Sequence, residues 1–299
     1  MALPARAEIV ALPSRRSPVR AASAAMRPRQ WSKNLLLFAG LVFAAKLGDA
    51  IRWLEAAAAF VGYCAASSAA YLVNDVRDAD HDRSHPLKRL RPVARGELSA
   101  RAAFSLAAVL SLVAFALTAA LGIASVGFLA AFLALQGAYS LGLKHVVLLD
   151  VFAIAALFVL RSAAGAAAVD VRISPWLLLV TALLALFLAL AKRRSELVLP
   201  GSSRPVLDGY SLVLVDQLIA VTVACTIAAY AIYTFTAHSP ALMATIPFVV
   251  FGLFRYLLLV HRDDLGEEPE NVLLTDRPLV AAVALWAVTA AAILAVTNN

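Results

Sequence analysis

From Ala102 to Leu143 the chain runs through 42 residues without one charged side chain. A helix needs about 20 apolar residues to cross roughly 30 Å of hydrocarbon, so this run suits two crossings and is too long for one. Gly122 marks where it divides. Comparable apolar runs recur along the sequence. Inside a bilayer the backbone can satisfy its own N–H and C=O groups only as helices or as a closed barrel. The runs are continuously apolar rather than alternating, which selects helices. The spans so predicted are nine: 33–48, 53–74, 101–119, 122–141, 146–168, 174–191, 211–236, 241–260 and 278–297. The expected fold class is an all-α polytopic membrane protein. Only 15% of the 299 residues are charged, against about 25% in a soluble domain.

Charge orients these spans. With the N-terminus in the cytosol, the inside segments are the start to Lys33, then 74–101, 142–145, 192–210 and 261–277. They hold 21 of the 26 Lys and Arg, whereas the outside segments hold Lys46, Arg52 and Arg172. Arg161 and Arg255 fall within spans. This asymmetry fits the positive-inside rule and predicts a multi-pass protein of the plasma membrane with its C-terminus outside and its long loops in the cytosol. The net charge of +7 is then a topology signal, and nucleic-acid binding is not expected. Residues 1–30 are rich in Ala, Pro and Arg and lack a prompt apolar core, so they read as a disordered basic tail and not as a cleaved signal peptide. The membrane domain is expected over 31–299. Cys64 and Cys225 lie inside apolar runs and read as small packing residues.

The densest charge in the chain is NDVRDADHDRSHPLKRLRPVARG, residues 74–96, directly after the second span. Asn74, Asp75, Asp78 and Asp82 make N-D-x-x-D-x-x-x-D. On a continuing helix the three aspartates stand at i, i+3 and i+7, on one face. Carboxylates so close repel one another, and a divalent cation removes the conflict. Hard oxygen donors suit Mg²⁺, which takes one or two carboxylates together with waters and phosphate oxygens. Asp80 points elsewhere. Arg83, Lys88, Arg89, Arg91 and Arg95 follow at once, and metal plus cations describes a site for a polyanionic diphosphate. Part of this basic set is ordinary topology charge.

The pattern N-D-x-x-D-x-x-x-D, followed by Lys88-Arg89, Arg91-Pro92 and Gly96, resembles the first aspartate-rich motif of the UbiA superfamily of intramembrane prenyltransferases. That resemblance implies nine helices around a central cavity and Mg²⁺ holding a diphosphate on the cytosolic side. A second acidic motif is expected after the sixth helix. This chain has AKRRSELVLPGSSRPVLDGYS there, with Glu196 and Asp208 as its only acids. The segments RPRQWSKN (27–34), YSLGLKHVVLLDV (139–151), FVLRSAAG (158–165), AKRRSEL (191–197) and GEEPENVLLTDRPL (266–279) resemble the branch of the superfamily that moves phosphoribose onto decaprenyl phosphate.

The resemblance implies transfer of 5-phosphoribose from phosphoribosyl diphosphate (PRPP) to decaprenyl or another polyprenyl phosphate for cell-wall arabinan. The alternative is an aromatic or quinone prenyltransferase of the same fold. A transporter would place its acids near the bilayer midplane, not at one interface. Asp75, Asp78 and Asp82 are the expected catalytic metal ligands, with Asn74. Lys33, Arg83, Lys88, Arg89, Arg95, Lys192, Arg193, Arg194 and Glu196 are expected at PRPP, and Tyr139, Lys144 and Arg91 at the lipid phosphate. Tyr71 is a candidate cavity residue, His145 an interfacial one. Arg161 and Arg255 are expected to pair with other helices, with contact to the donor as the alternative, since a charge inside a span needs a partner or a cavity. A homo-oligomer is compatible with all of this.

Overall fold

The computed structural model describes residues 15–43, 48–84, 88–198, 204–236, 240–262, 272 and 275–297. Among them there is no strand. Eight helices are long and apolar enough to cross a membrane. In order they are α3 (Ala50–Arg77), α5 (Ala100–Ala120), α6 (Ile123–Leu141), α7 (Leu149–Ala168), α8 (Pro175–Val198), α9 (Leu212–Thr236), α10 (Ile246–Arg262, entered through a 3₁₀ turn at Pro240–Thr245) and α11 (Arg277–Thr297). Short helices α1 (Pro18–Met26), α2 (Ala39–Phe43) and α4 (Ala79–Ser84) complete the set.

The expected first span takes another form. Pro28–Phe38 is a 3₁₀ helix of 11 residues leading into α2, and residues 44–47 lie outside the described residues. At about 2.0 Å per residue for 3₁₀ and 1.5 Å for α, the two together reach roughly 30 Å, the depth of a bilayer core. A 3₁₀ helix repeats every three residues, so positions three apart eclipse. Trp31, Asn34 and Leu37 share the face turned to the core: Trp31 donates to Ser68 at 3.1 Å, while Asn34 and Leu37 are fully buried. Arg27, Gln30 and Lys33 share the next face. The expected disordered tail ends before residue 30, because α1 is capped by Ser17 and buries Ala21 and Ala25. Residues 1–14 lie outside the described residues, as does the acidic stretch 266–270.

Small residues decide which helices are central. Ala, Gly and Ser fill much of α3 and of the far half of α7, and small side chains let helix backbones approach closely in a membrane. Accordingly 61% of the apolar window is buried in α3 and in α7, against 17–33% in the other six spans, whose leucines and phenylalanines face outward. Gly122, at φ 109°, makes the tight reversal between α5 and α6 that its sequence position predicts. Two apolar cores form. One joins the 3₁₀ segment, α3, α5, α6 and α7 through Leu37, Tyr63, Phe132 and Leu157. The other joins α7 to α8–α11 through Val151, Phe187, Tyr256 and Leu279. α7 belongs to both.

The closest approach is at Gly165 of α7, where a Cβ would stand 2.0 Å from the Leu37 carbonyl oxygen. Backbone cannot step aside as a side chain can, so Gly165→Ala is expected to destabilise the protein by about 1–3 kcal/mol or more. Gly127→Ala, with nothing within 4 Å, is the control. Thermal unfolding in detergent should separate the two, and equal Tm values would contradict the contact.

Candidate active site

A cavity of about 530 Å³ opens between α3, α6, α7, α8 and the 3₁₀ segment, at the ends of the helices that carry the charged loops. Its rim is the aspartate motif. α3 stops at Arg77 with Asp78 as its C-cap, and α4 restarts at once, Asp82 N donating to Asp78 O at 2.8 Å. The single continuous helix face expected from the spacing is therefore broken at Asp78. Asn74, Asp78 and Asp82 line the cavity; Asp75 does not, and is 1% exposed behind it.

Arginines already occupy part of this acidic cluster. Asp75 pairs with Arg27, and Arg91 bridges Asp75 at 3.3 Å and Asp82 at 2.6 Å. Arg27 sits in the left-handed region at φ 55°, between α1 and the 3₁₀ segment, and stacks on the Tyr71 ring. Asn74 gives its amide nitrogen to Ser140 of α6 at 3.0 Å. Partial burial, then the neighbouring Arg91 charge, draws the Lys88 ammonium below the ordinary lysine value, while Asp82 and Asp78 pull it back. A bound anion would restore it.

Across the cavity, Lys192 and Arg193 project from α8, Tyr139 and Lys144 from the end of α6 and the turn after it, and Arg204 from the loop beyond α8. Lys192 and Arg193 differ sharply. Arg193 is fully buried, pairs with Asp150 of α7 at 2.6 Å and is also paired with Glu196. Tyr210 donates to the other Asp150 oxygen at 2.7 Å and accepts from the Leu148 amide. Burial, and then its bond to Asp150, push the Tyr210 phenol up, so it stays a donor. This network pins the loop after α8 to α7. Only Arg193 Nη2, buried and without a partner, is left over beside the cavity.

Several expected site residues stand outside the lining. Arg83 pairs with exposed Asp80 at 2.5 Å and donates to Ala94 O. Arg95 pairs with Glu97, which also holds Arg16. Arg194 faces the opposite side of α8, to Asp216 and Val260 O. Glu196 is committed to Arg193, and Arg89 is exposed. Their sequence neighbourhood is right, but the local backbone, helical at Arg83, Arg194 and Glu196, a short 3₁₀ helix at Arg89 and a turn at Arg95, directs them away from the lining. Lys33, Lys88, Arg91, Tyr139, Lys144, Lys192 and Arg193 do come together. Sequence reasoning missed Arg27, Gln30, Gln136 and Arg204. Arg27 and Gln30 are separated from Lys33 by multiples of three, a spacing that shares one face once Pro28–Phe38 is helical. Arg255 does pair between helices, with Asp276 at 2.7 Å, and that pairing holds Asp276 below the usual carboxylate range.

Whether Mg²⁺ suits these residues turns on donors. Among the described residues no three acidic, His or Cys side chains form a cage of their own. Mg²⁺ needs only one or two carboxylates when phosphate oxygens complete it. Asp78 and Asp82 supply that number at the cavity wall, and the buried Asp75 Oδ2 has no partner in the protein. The donor set fits a metal shared with a phosphorylated ligand.

Residues 35–274 match the UbiA prenyltransferase family. The chain belongs to this family. It is 34% identical over 287 residues to the decaprenyl-phosphate phosphoribosyltransferase of Mycolicibacterium smegmatis, covering 88% of each chain. It is 33% identical to the enzyme of that name from Mycobacterium tuberculosis, covering 91% of this chain and 93% of that one. The fold matches a UbiA homolog from Archaeoglobus fulgidus bound to GPP and Mg²⁺, with a TM-score of 0.71 at 18% identity over 92% of this chain and 99% of the other. As a UbiA member with eight helices among the described residues long and apolar enough to cross a bilayer, the chain is a multi-pass membrane protein.

Proposed function

We propose that this UbiA member transfers 5-phosphoribose from PRPP to decaprenyl phosphate, releasing pyrophosphate. The observation that carries this is the charge of the cavity wall: among the described lining residues nine Lys and Arg face two carboxylates, Asp78 and Asp82, and of the nine Arg27, Arg91, Arg193 and Arg204 are paired with carboxylates in the protein. A donor with phosphate at both ends, meeting an acceptor that is itself a phosphate, calls for that excess. A prenyl diphosphate and an aromatic acid call for less. The second carboxylate cluster that such a reaction would use is missing, since Glu196 is bound to Arg193 and Asp208 is exposed. The names of the relatives from Mycolicibacterium and Mycobacterium support the same reading.

Asp78 and Asp82, with the Asn74 carbonyl oxygen, are the groups that would hold Mg²⁺, which when bound neutralises charge on the pyrophosphate leaving group. Lys88, Arg91 and Lys192 hold the diphosphate by charge and hydrogen bonds. Lys144 and Tyr139 stand at the mouth, where a lipid phosphate can arrive with its tail still among apolar helix surfaces. As pyrophosphate leaves, positive charge develops at C1 of the ribose, as in glycosyl transfer generally. The acceptor is already an anion, so no strong base is needed, and the protein contributes placement and fixed charge. The charge asymmetry of the loops supports a cytosolic site, with the N-terminus inside and the C-terminus outside.

The direct test uses purified protein, radiolabelled PRPP, Mg²⁺ and polyprenyl phosphates, beside a prenyl diphosphate with hydroxybenzoate. Label is expected in the lipid phase only with a polyprenyl phosphate. Prenylated hydroxybenzoate in place of labelled lipid would overturn the phosphoribosyl reading.

A further inference from the structure

Arg161 is 5% exposed and lies about three turns along α7 from Leu149, within electrostatic reach of Tyr71, which stands one turn before Asn74 on α3. It borders the cavity, beyond Ile154, Leu157 and Phe158. Its Nε donates to Asn34 Oδ1 at 2.8 Å and its Nη1 to Leu157 O at 3.0 Å, with the guanidinium over the rings of Phe132 and Phe158. No carboxylate among the described residues pairs with it, in contrast to Arg91, Arg193, Arg194 and Arg255. Two of its five N–H donors are used, and the planar fork is held rigid. A guanidinium inside a membrane protein without a counter-charge is costly, and such a group faces a cavity that brings it one. The cavity thus has a charged rim, an apolar throat and a charged floor. An isoprenoid tail laid in it would strand the floor cation; a phosphate would complete it bidentately.

We propose that Arg161 binds the 5-phosphate of the donor, at the opposite end of the cavity from the diphosphate, and thereby selects a phosphorylated sugar over a prenyl donor. This rests on the phosphoribosyl reading above and assigns the deep end of the same site. The test compares PRPP with its analogue carrying a 5-hydroxyl, by isothermal titration and by kcat/KM, in wild type and in Arg161→Gln, which can still donate to Asn34. Wild type is expected to prefer PRPP, and the variant to lose about ten- to hundred-fold of that preference with its KM for decaprenyl phosphate unchanged. Asn34→Asp, which gives Arg161 an internal counter-charge and leaves the arginine in place, is expected to lose it likewise and keeps the test available should Arg161→Gln not fold. Preference for the 5-phosphate retained in the folded variants, or an effect that falls on the lipid KM instead, would overturn the assignment while leaving PRPP as donor. No turnover of PRPP by wild type would instead overturn the reading it rests on.

Discussion

Asp78→Ala is expected to lower kcat by about a hundred- to thousand-fold with Tm nearly unchanged, the size of effect seen when a group stabilising transition-state charge is removed. Asp78 caps α3 at the cavity wall, so its loss removes a metal donor and little packing. Asp82→Ala should lose activity comparably and also some stability, because Arg91 loses a partner at 2.6 Å. Asp75→Ala should look different again. Asp75 is buried behind the wall against Arg27 and Arg91, and removing one side of a buried pair costs about 3–5 kcal/mol. On the proposed function the three aspartates would divide into a ligand, a ligand that also braces the loop, and a brace. Chelation by EDTA should stop turnover and Mg²⁺ should restore it. Normal turnover by Asp78→Ala would remove the metal assignment.

Arg193→Ala is expected to yield little folded protein. It leaves Asp150 and Glu196 without their shared cation and frees Tyr210 and its loop, a loss of about 3–5 kcal/mol in a protein with little to spare. Lys192→Ala, one residue away, should fold normally and raise the KM for PRPP roughly ten- to hundred-fold. Arg194→Ala should leave the KM for PRPP unchanged and lower Tm somewhat, since its side chain is only 13% exposed and ties α8 to Asp216 of α9 and Val260 O of α10, away from the cavity. Detergent Tm measurements alongside kinetics of the three variants check this. Equal KM shifts with intact folding in all three would show that the cluster acts as one phosphate grip.

Eight of the nine expected spans were readable because the bilayer imposes a local rule on length and polarity that each run obeys alone; the first, 33–48, took another form. Asp78, Asp82, Lys88 and Arg91 were readable because one loop delivers them together. Lys192, Arg193 and Arg194 were not separable: adjacent residues on a helix point about 100° apart, and the partners that sort them, Asp150 and Asp216, come from other helices. Arg27 and Gln30 escaped because the first span was expected to begin at Lys33, which left them in a tail read as disordered. Arg161 was visible as a charge within a span, but no pattern in the sequence says that its neighbours are two rings and an amide instead of a carboxylate.

The contact between Gly165 and Leu37 also bears on how variants of this protein would be interpreted. The 3₁₀ segment runs unbroken from Pro28 to Phe38 as one rod: Leu37 rests against α7, and ten residues away Arg27 pairs with Asp75 behind the cavity wall. A bulkier side chain at 165 must push that rod, and the rod carries Arg27, Gln30 and Lys33 with it. A lesion at an apolar, substrate-remote glycine would then present in an assay as a substrate-binding defect, and a suppressor search would find its compensations at small residues along the rod's buried face.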